Sequence, residues 1–173
     1  MDKWYMVTAV GKDQTGIVAA ITGALFDGGC HLGEASMARL GDSFTVMMMV
    51  RHANGEKTLR SLLEAAVEKM HLHLHVDPVD GVLHHHVIPN LRISVFGADR
   101  PGIVAQVTRV LASDGLSICH LETDVAGTQE RPIYVMHIEA KGRESAEALQ
   151  SRLRQAVGAG LDVRVADLDL VIG

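Results

Sequence analysis

The 173-residue sequence is poor in cysteine and in aromatic side chains: it holds only Cys30 and Cys119, a single tryptophan, and 3% aromatic residues in all. Neither cysteine lies in a Cys-x-x-Cys run or at a histidine spacing that would mark a zinc or redox centre, so both read as reduced, structural thiols. Positive charge is not in excess. Sixteen Lys and Arg stand against 21 Asp and Glu, giving a formal charge of −5 and a pI near 6.0. A nucleic-acid binder neutralises phosphates with a basic stripe, so direct nucleic-acid binding is disfavoured, and no helix-turn-helix or stacking-aromatic pattern speaks for it. Long apolar runs are missing too. A run such as Phe44 to Val50 is far short of a bilayer span, and no basic stretch followed by an apolar signal region opens the chain. The expectation is a cytoplasmic protein without membrane contact. Catalytic patterns are equally sparse: there is no nucleophile elbow and no Walker loop, and Cys119-His120 would leave a strand on opposite faces. A non-catalytic protein without a cofactor is expected.

What is present is a soluble, core-forming composition, 47% hydrophobic and 21% charged, in a length that suits one ordinary domain or two small ones. A repeat decides between them. Gly11-Lys12-Asp13-Gln14-Thr15-Gly16-Ile17-Val18-Ala19 recurs 86 residues on as Gly97-Ala98-Asp99-Arg100-Pro101-Gly102-Ile103-Val104-Ala105. Val46-Met47 aligns with Val135-Met136 at an offset of 89, which predicts three extra residues in the turn region from Ala126 to Pro132. Leu59, Leu63 and Ala66 correspond to Leu149, Leu153 and Ala156.

Local periodicity gives each half the same elements. Trp4 to Val10 alternates with the period of a strand, whereas Ile17, Val18, Ile21, Ala24 and Leu25 share one helical face that Gly28 and Gly29 can end. Two further strands meet at Gly41-Asp42 as a hairpin, and a second helix from about Glu56 to Met70 precedes the last strand. The order β-α-β-β-α-β, twice, predicts an α+β chain of two tandem ferredoxin-like modules, residues 1–78 and 91–173, joined by a linker at 79–90. Each module is an antiparallel sheet with both helices on one face. So small a sheet buries little alone, so side-by-side pairing of modules or a homo-oligomer is expected. If Phe44, Val46, Met48 and Val50 face the helices, Met47 and Met49 face outward to meet a partner; a register shifted by one would make them core.

The Gly-x-Asp-x-x-Gly segment between first strand and first helix has a chemical use in both halves. Gly11 or Gly97 allows a sharp turn, and Gly16 or Gly102 leaves the helix N-terminus open, where free N–H groups and the dipole favour a carboxylate. Asp13 or Asp99 can accept from an ammonium, so the two features together suit a zwitterion. The competing reading makes each Asp a plain helix N-cap.

These runs, with the β-α-β-β-α-β order, resemble the ACT domain, a regulatory module that binds small molecules, and the resemblance covers nearly all of the chain outside the linker. It implies amino-acid binding at module interfaces, by Asp13, Gly16 and Ile17 with Ser117, and by Asp99, Gly102 and Ile103 with His31. The family's loop is usually Asp-Arg-Pro-Gly; the first module has Asp-Gln-Thr-Gly instead, which implies unequal sites. Two such modules without a catalytic domain imply a regulator acting through a protein partner such as a transcriptional activator.

Histidines supply the rival signal. His71, His73 and His75 would line one side of a strand, and with His84 or His86 folded back they could hold zinc or nickel. A solvated strand face beside a polar linker explains the same residues. A ligand-free interaction scaffold is the third reading.

Overall fold

The structure is a computed structural model of the chain and describes residues 3–79, 87–128 and 131–168. The chain divides into two compact units, Met1–Leu83 and His84–Gly173. The first contains β1 (Lys3–Lys12), α1 (Ile17–Asp27), β2 (His31–Leu40), β3 (Ser43–His52), α2 (Gly55–Lys69) and β4 (His73–Pro78). The second contains β5 (Leu91–Ala98), α3 (Ile103–Ser113), β6 (Ser117–Thr128), β7 (Arg131–Lys141), α4 (Ala146–Val157) and β8 (Leu161–Asp167). Each unit is one antiparallel four-stranded sheet, in the order β2-β3-β1-β4 and β6-β7-β5-β8. The ferredoxin-like fold expected from the repeat is the fold observed.

Period-2 alternation places one face of each sheet under its helices. Tyr5, Val7 and Ala9 of β1 and Phe44, Val46, Met48 and Val50 of β3 pack with Ile17, Ile21 and Leu25 of α1 and Leu59 and Leu63 of α2. The second unit repeats this with Leu91, Ile93, Val95, Met136 and Ile138 against Ile103, Val107, Leu111, Leu149 and Leu153. Each such side chain contributes roughly 1.5–3 kcal/mol when fully buried, so each unit is held by its own core. The outward register of Met47 and Met49 is the one adopted, and Met47 is exposed. Met49 is nonetheless buried: Gly33, lacking a side chain, leaves room for the Trp4 ring beside the Met49 Cβ.

Sheet register corrects one expectation about the repeat. Val7 faces Met48 and its counterpart Ile93 faces Ile138, so the third strands correspond at an offset of 90 and Val46 matches Met136 rather than Val135. Sequence similarity alone chose the neighbouring alignment. A one-residue slip would turn the buried Met136 outward, and burial forbids it. The β6–β7 hairpin is therefore longer than β2–β3 by four residues, not three.

Helix ends correct another. Three helices close with the same pair of bonds: Gly29 and Cys30 N–H to Phe26 and Leu25 C=O, Gly115 and Leu116 to Ala112 and Leu111, and His71 and Leu72 to Glu68 and Val67. This is the Schellman pattern, whose left-handed position is filled by Gly29, Gly115 and His71, the last at φ 50°. His71 thus belongs to the cap of α2 and not to β4.

Candidate functional site

Both repeat loops connect a central strand to the first helix of their unit. Gly16 and Gly102 are the N-caps, at φ 95° and 90°, and their carbonyls accept from the Ala20 and Gln106 N–H groups. Asp13 and Asp99 lie three residues earlier and do not cap, which removes the competing reading of these carboxylates. No side chain caps either helix, and neither first turn contains an acidic residue. The first-turn N–H groups have no intrahelical acceptor, so the positive end of each dipole is left open.

In the first unit these groups share one groove of about 430 Å³, lined by Asp13 to Ala19 together with Met37, Arg39 and Phe44. Arg39 comes from the end of β2, where it sits opposite Phe44. Its Nε lies 2.9 Å from the Asp13 carboxylate as an ion pair, and it remains largely exposed. The Asp13 backbone N–H donates to the Asp42 carbonyl at 2.8 Å, pinning the loop to the β2–β3 turn. Sequence reading missed Arg39; the signal was its period-2 position on the helix-side face of β2, close to the turn.

Loop position 14 has a structural task. The Gln14 amide donates to the Met70 carbonyl at the end of α2, at 2.7 Å. Arg100, its counterpart, donates to the Val157 carbonyl at the end of α4 and also to Gln106 Oε1. Gln14 therefore keeps the tether that Arg100 makes, and the Asp-Gln-Thr-Gly departure leaves the loop anchored. Asp99 lines a depression of about 730 Å³ with Phe96, Gly97, Pro132, Ile133, Gly160 and Asp162.

His31 and Ser117 stand far from the loop of their own unit. His31 faces Arg51 and lies edge-on to Trp4 at the start of β1, while Asp13 follows the end of β1, roughly 30 Å away at strand rise. Ser117 faces Lys141, at the Leu91 end of β5, opposite the Asp99 end. Neither unit alone brings its loop and its second-strand residue together.

Among the histidines, His73 and His75 are exposed on β4, and His71 is set apart by its cap; His84 and His86 lie outside the described residues. Among the described residues no group of three or more His, Cys, Asp or Glu is placed to hold a metal ion. One part-buried polar couple was not foreseen. Cys30 Sγ lies 3.6 Å from His52 Nδ1, burial pushes the Cys30 thiol up from its ordinary value, and His52 Nε2 has no partner among the described residues. Cys119 sits at a bulge in β6 between Ile118 and His120 and is exposed. No helix among the described residues is long and apolar enough to cross a membrane.

Comparison with known proteins follows the same division. ACT domain models match residues 4–77 and 91–158. The chain is 22% identical over 154 residues to the glycine cleavage system transcriptional repressor of Escherichia coli (strain K12), covering 88% of this chain and 81% of that protein. Among solved structures, an unknown protein from Galdieria sulphuraria superposes with a TM-score of 0.79 at 25% identity, over 98% of this chain and 100% of that one. A second, assigned only provisionally as a glycine cleavage system transcriptional repressor, superposes at 0.70 and 17% identity over 97% and 99%, a likeness of fold.

Proposed function

Because the chain belongs to the ACT domain family, with two such domains in tandem, we propose that it is a non-catalytic regulator that binds an amino acid or similar small zwitterion and acts through a protein partner. The observation that carries this reading is the first-module groove, where the Asp13 carboxylate and the open N-terminus of α1 line one concavity of about 430 Å³. An ammonium is drawn to the carboxylate and a carboxylate to the helix end. The groove is roomy enough to admit a molecule of amino-acid size.

The full sites we propose are Asp13, Gly16 and Ile17 completed by Ser117, and Asp99, Gly102 and Ile103 completed by His31. The separation of each loop from the second strand of its own unit supports completion by another module, within the chain or in a homo-oligomer. A site built across modules gives ligand a way to regulate, since a ligand shifts an equilibrium only by its differential affinity for the two states. Similarity to a transcriptional repressor, together with a net charge of −5, favours control of transcription through a protein such as an activator rather than through DNA. Glycine is the first ligand to try, from the name of that relative.

Thermal-shift assays against glycine and the nineteen L-amino acids test the reading. A ligand at about 100 times its Kd adds roughly 2.7 kcal/mol of stability, which a melting curve resolves. Flat curves for all twenty at millimolar concentration argue for the ligand-free scaffold instead.

A further inference from the structure

We propose that Arg39 is the residue with which the first module reads the carboxylate of its ligand, and that the second module has no such reader among the described residues; the inference rests on the amino-acid reading above. Arg39 and Asp13 are the oppositely charged pair on the wall of the groove, joined through Nε at 2.9 Å. A guanidinium offers five donors in a planar fork. Pairing through Nε leaves its terminal nitrogens as further donors for an incoming carboxylate in the groove that the first residues of α1 also line. A zwitterion entering there turns one ion pair into two: its ammonium meets Asp13 and its carboxylate meets Arg39. Neither protein charge is then left unpaired, so desolvation in the groove is compensated.

The second module differs where this matters. Gly11 faces Phe44, which faces Arg39; the matching chain of partners runs from Gly97 to Tyr134 to Val125. Val125 thus holds the register position of Arg39 and brings no charge. Arg100, the nearby cation, is already bound to the Val157 carbonyl and to Gln106. The module whose loop departs from Asp-Arg-Pro-Gly is therefore the better equipped for a zwitterion, which reverses the inequality implied by loop sequence alone. Ligand is selected for a free α-carboxylate, and one site per chain has the full charge complement.

Isothermal titration calorimetry of the full chain tests this, using glycine and the nineteen L-amino acids and then the amide of each one that binds. The expected result is one equivalent per chain, with the amide at least about tenfold weaker than the acid. Arg39→Ala and Arg39→Gln should weaken the acid by about 10- to 100-fold, the range of a charge-assisted hydrogen bond, and leave the amide nearly unchanged. That selective loss separates carboxylate recognition from damage to the loop, and Arg39 is exposed on an edge strand, so folding is retained. Equal losses for acid and amide, unchanged affinity in both variants, or two equal sites per chain would overturn the role of Arg39 while leaving amino-acid binding intact. Absence of binding by all twenty amino acids to the unaltered chain would overturn both.

Discussion

Gly11 and Gly97, expected from the sequence at a sharp turn, lie instead within the paired ends of β1 and β5; they occupy equivalent positions yet should respond very differently to alanine. A Cβ on Gly97 would run into the Gly160 carbonyl oxygen and come within 2.7 Å of Leu161 Cδ2 and 3.1 Å of its Cα, with φ already at 155°. Backbone cannot rotate away as a side chain can. Overpacking costs about 1–3 kcal/mol and an unfavourable backbone region about 1–3, against roughly 0.5–1 regained from the stiffer unfolded chain, and the middle of the resulting range puts the Gly97→Ala loss at about 2–4 kcal/mol. At Gly11 the closest atom is the tip of a flexible side chain, Leu72 Cδ2 at 2.7 Å, with the His71 carbonyl oxygen at 3.2 Å, and the loss should stay under about 1 kcal/mol. For a module of this size 1 kcal/mol moves the melting temperature by about 4–8 °C. The assay is thermal unfolding followed by far-UV circular dichroism, which sees both modules, and by fluorescence of Trp4, which reports the first. Gly97→Ala should lower the dichroism transition of the second module by roughly 8–32 °C. A Gly97→Ala variant no less stable than Gly11→Ala would refute the reasoning that these glycines are needed for different physical reasons.

Two further outcomes follow from the same structure. Replacing His71, a non-glycine residue in the left-handed position of a Schellman cap, by glycine removes about 1–2 kcal/mol of strain at the cost of about 0.5–1 in unfolded-chain entropy, so His71→Gly should raise stability by about 0.5–1 kcal/mol in chemical denaturation. Burial raises the Cys30 pKa in the folded state, so the stability that depends on its protonated thiol is present below the unfolded thiol value and is lost as pH rises through the raised folded value. The unaltered chain should accordingly lose melting temperature more steeply than Cys30→Ala as pH rises through and above the ordinary thiol range; parallel curves would contradict this.

The fold was largely legible because its determinants are local and occur twice. Ile17, Ile21 and Leu25 on one helix face, and Phe44, Val46, Met48 and Val50 on one strand face, state which side is buried without any knowledge of pairing. The alignment of Val46 could not be settled by similarity, since Val135 and Met136 are both apolar and only the pleat tells them apart. His71 was misplaced because the left-handed cap position usually announces itself with glycine, as at Gly29 and Gly115. The site was legible in part. Asp13 and Gly16 are contiguous and recur, whereas Arg39 reaches the loop only because a hairpin folds back over it, and nothing in the spacing of 26 residues reveals that.

Direct titration of the full chain with glycine and the nineteen L-amino acids tests the central claim. Saturable binding by at least one of them, with heat that disappears when its ammonium and carboxylate are both blocked, is the result expected of an amino-acid-binding regulator. Absence of saturable heat from all twenty at millimolar concentration would contradict it.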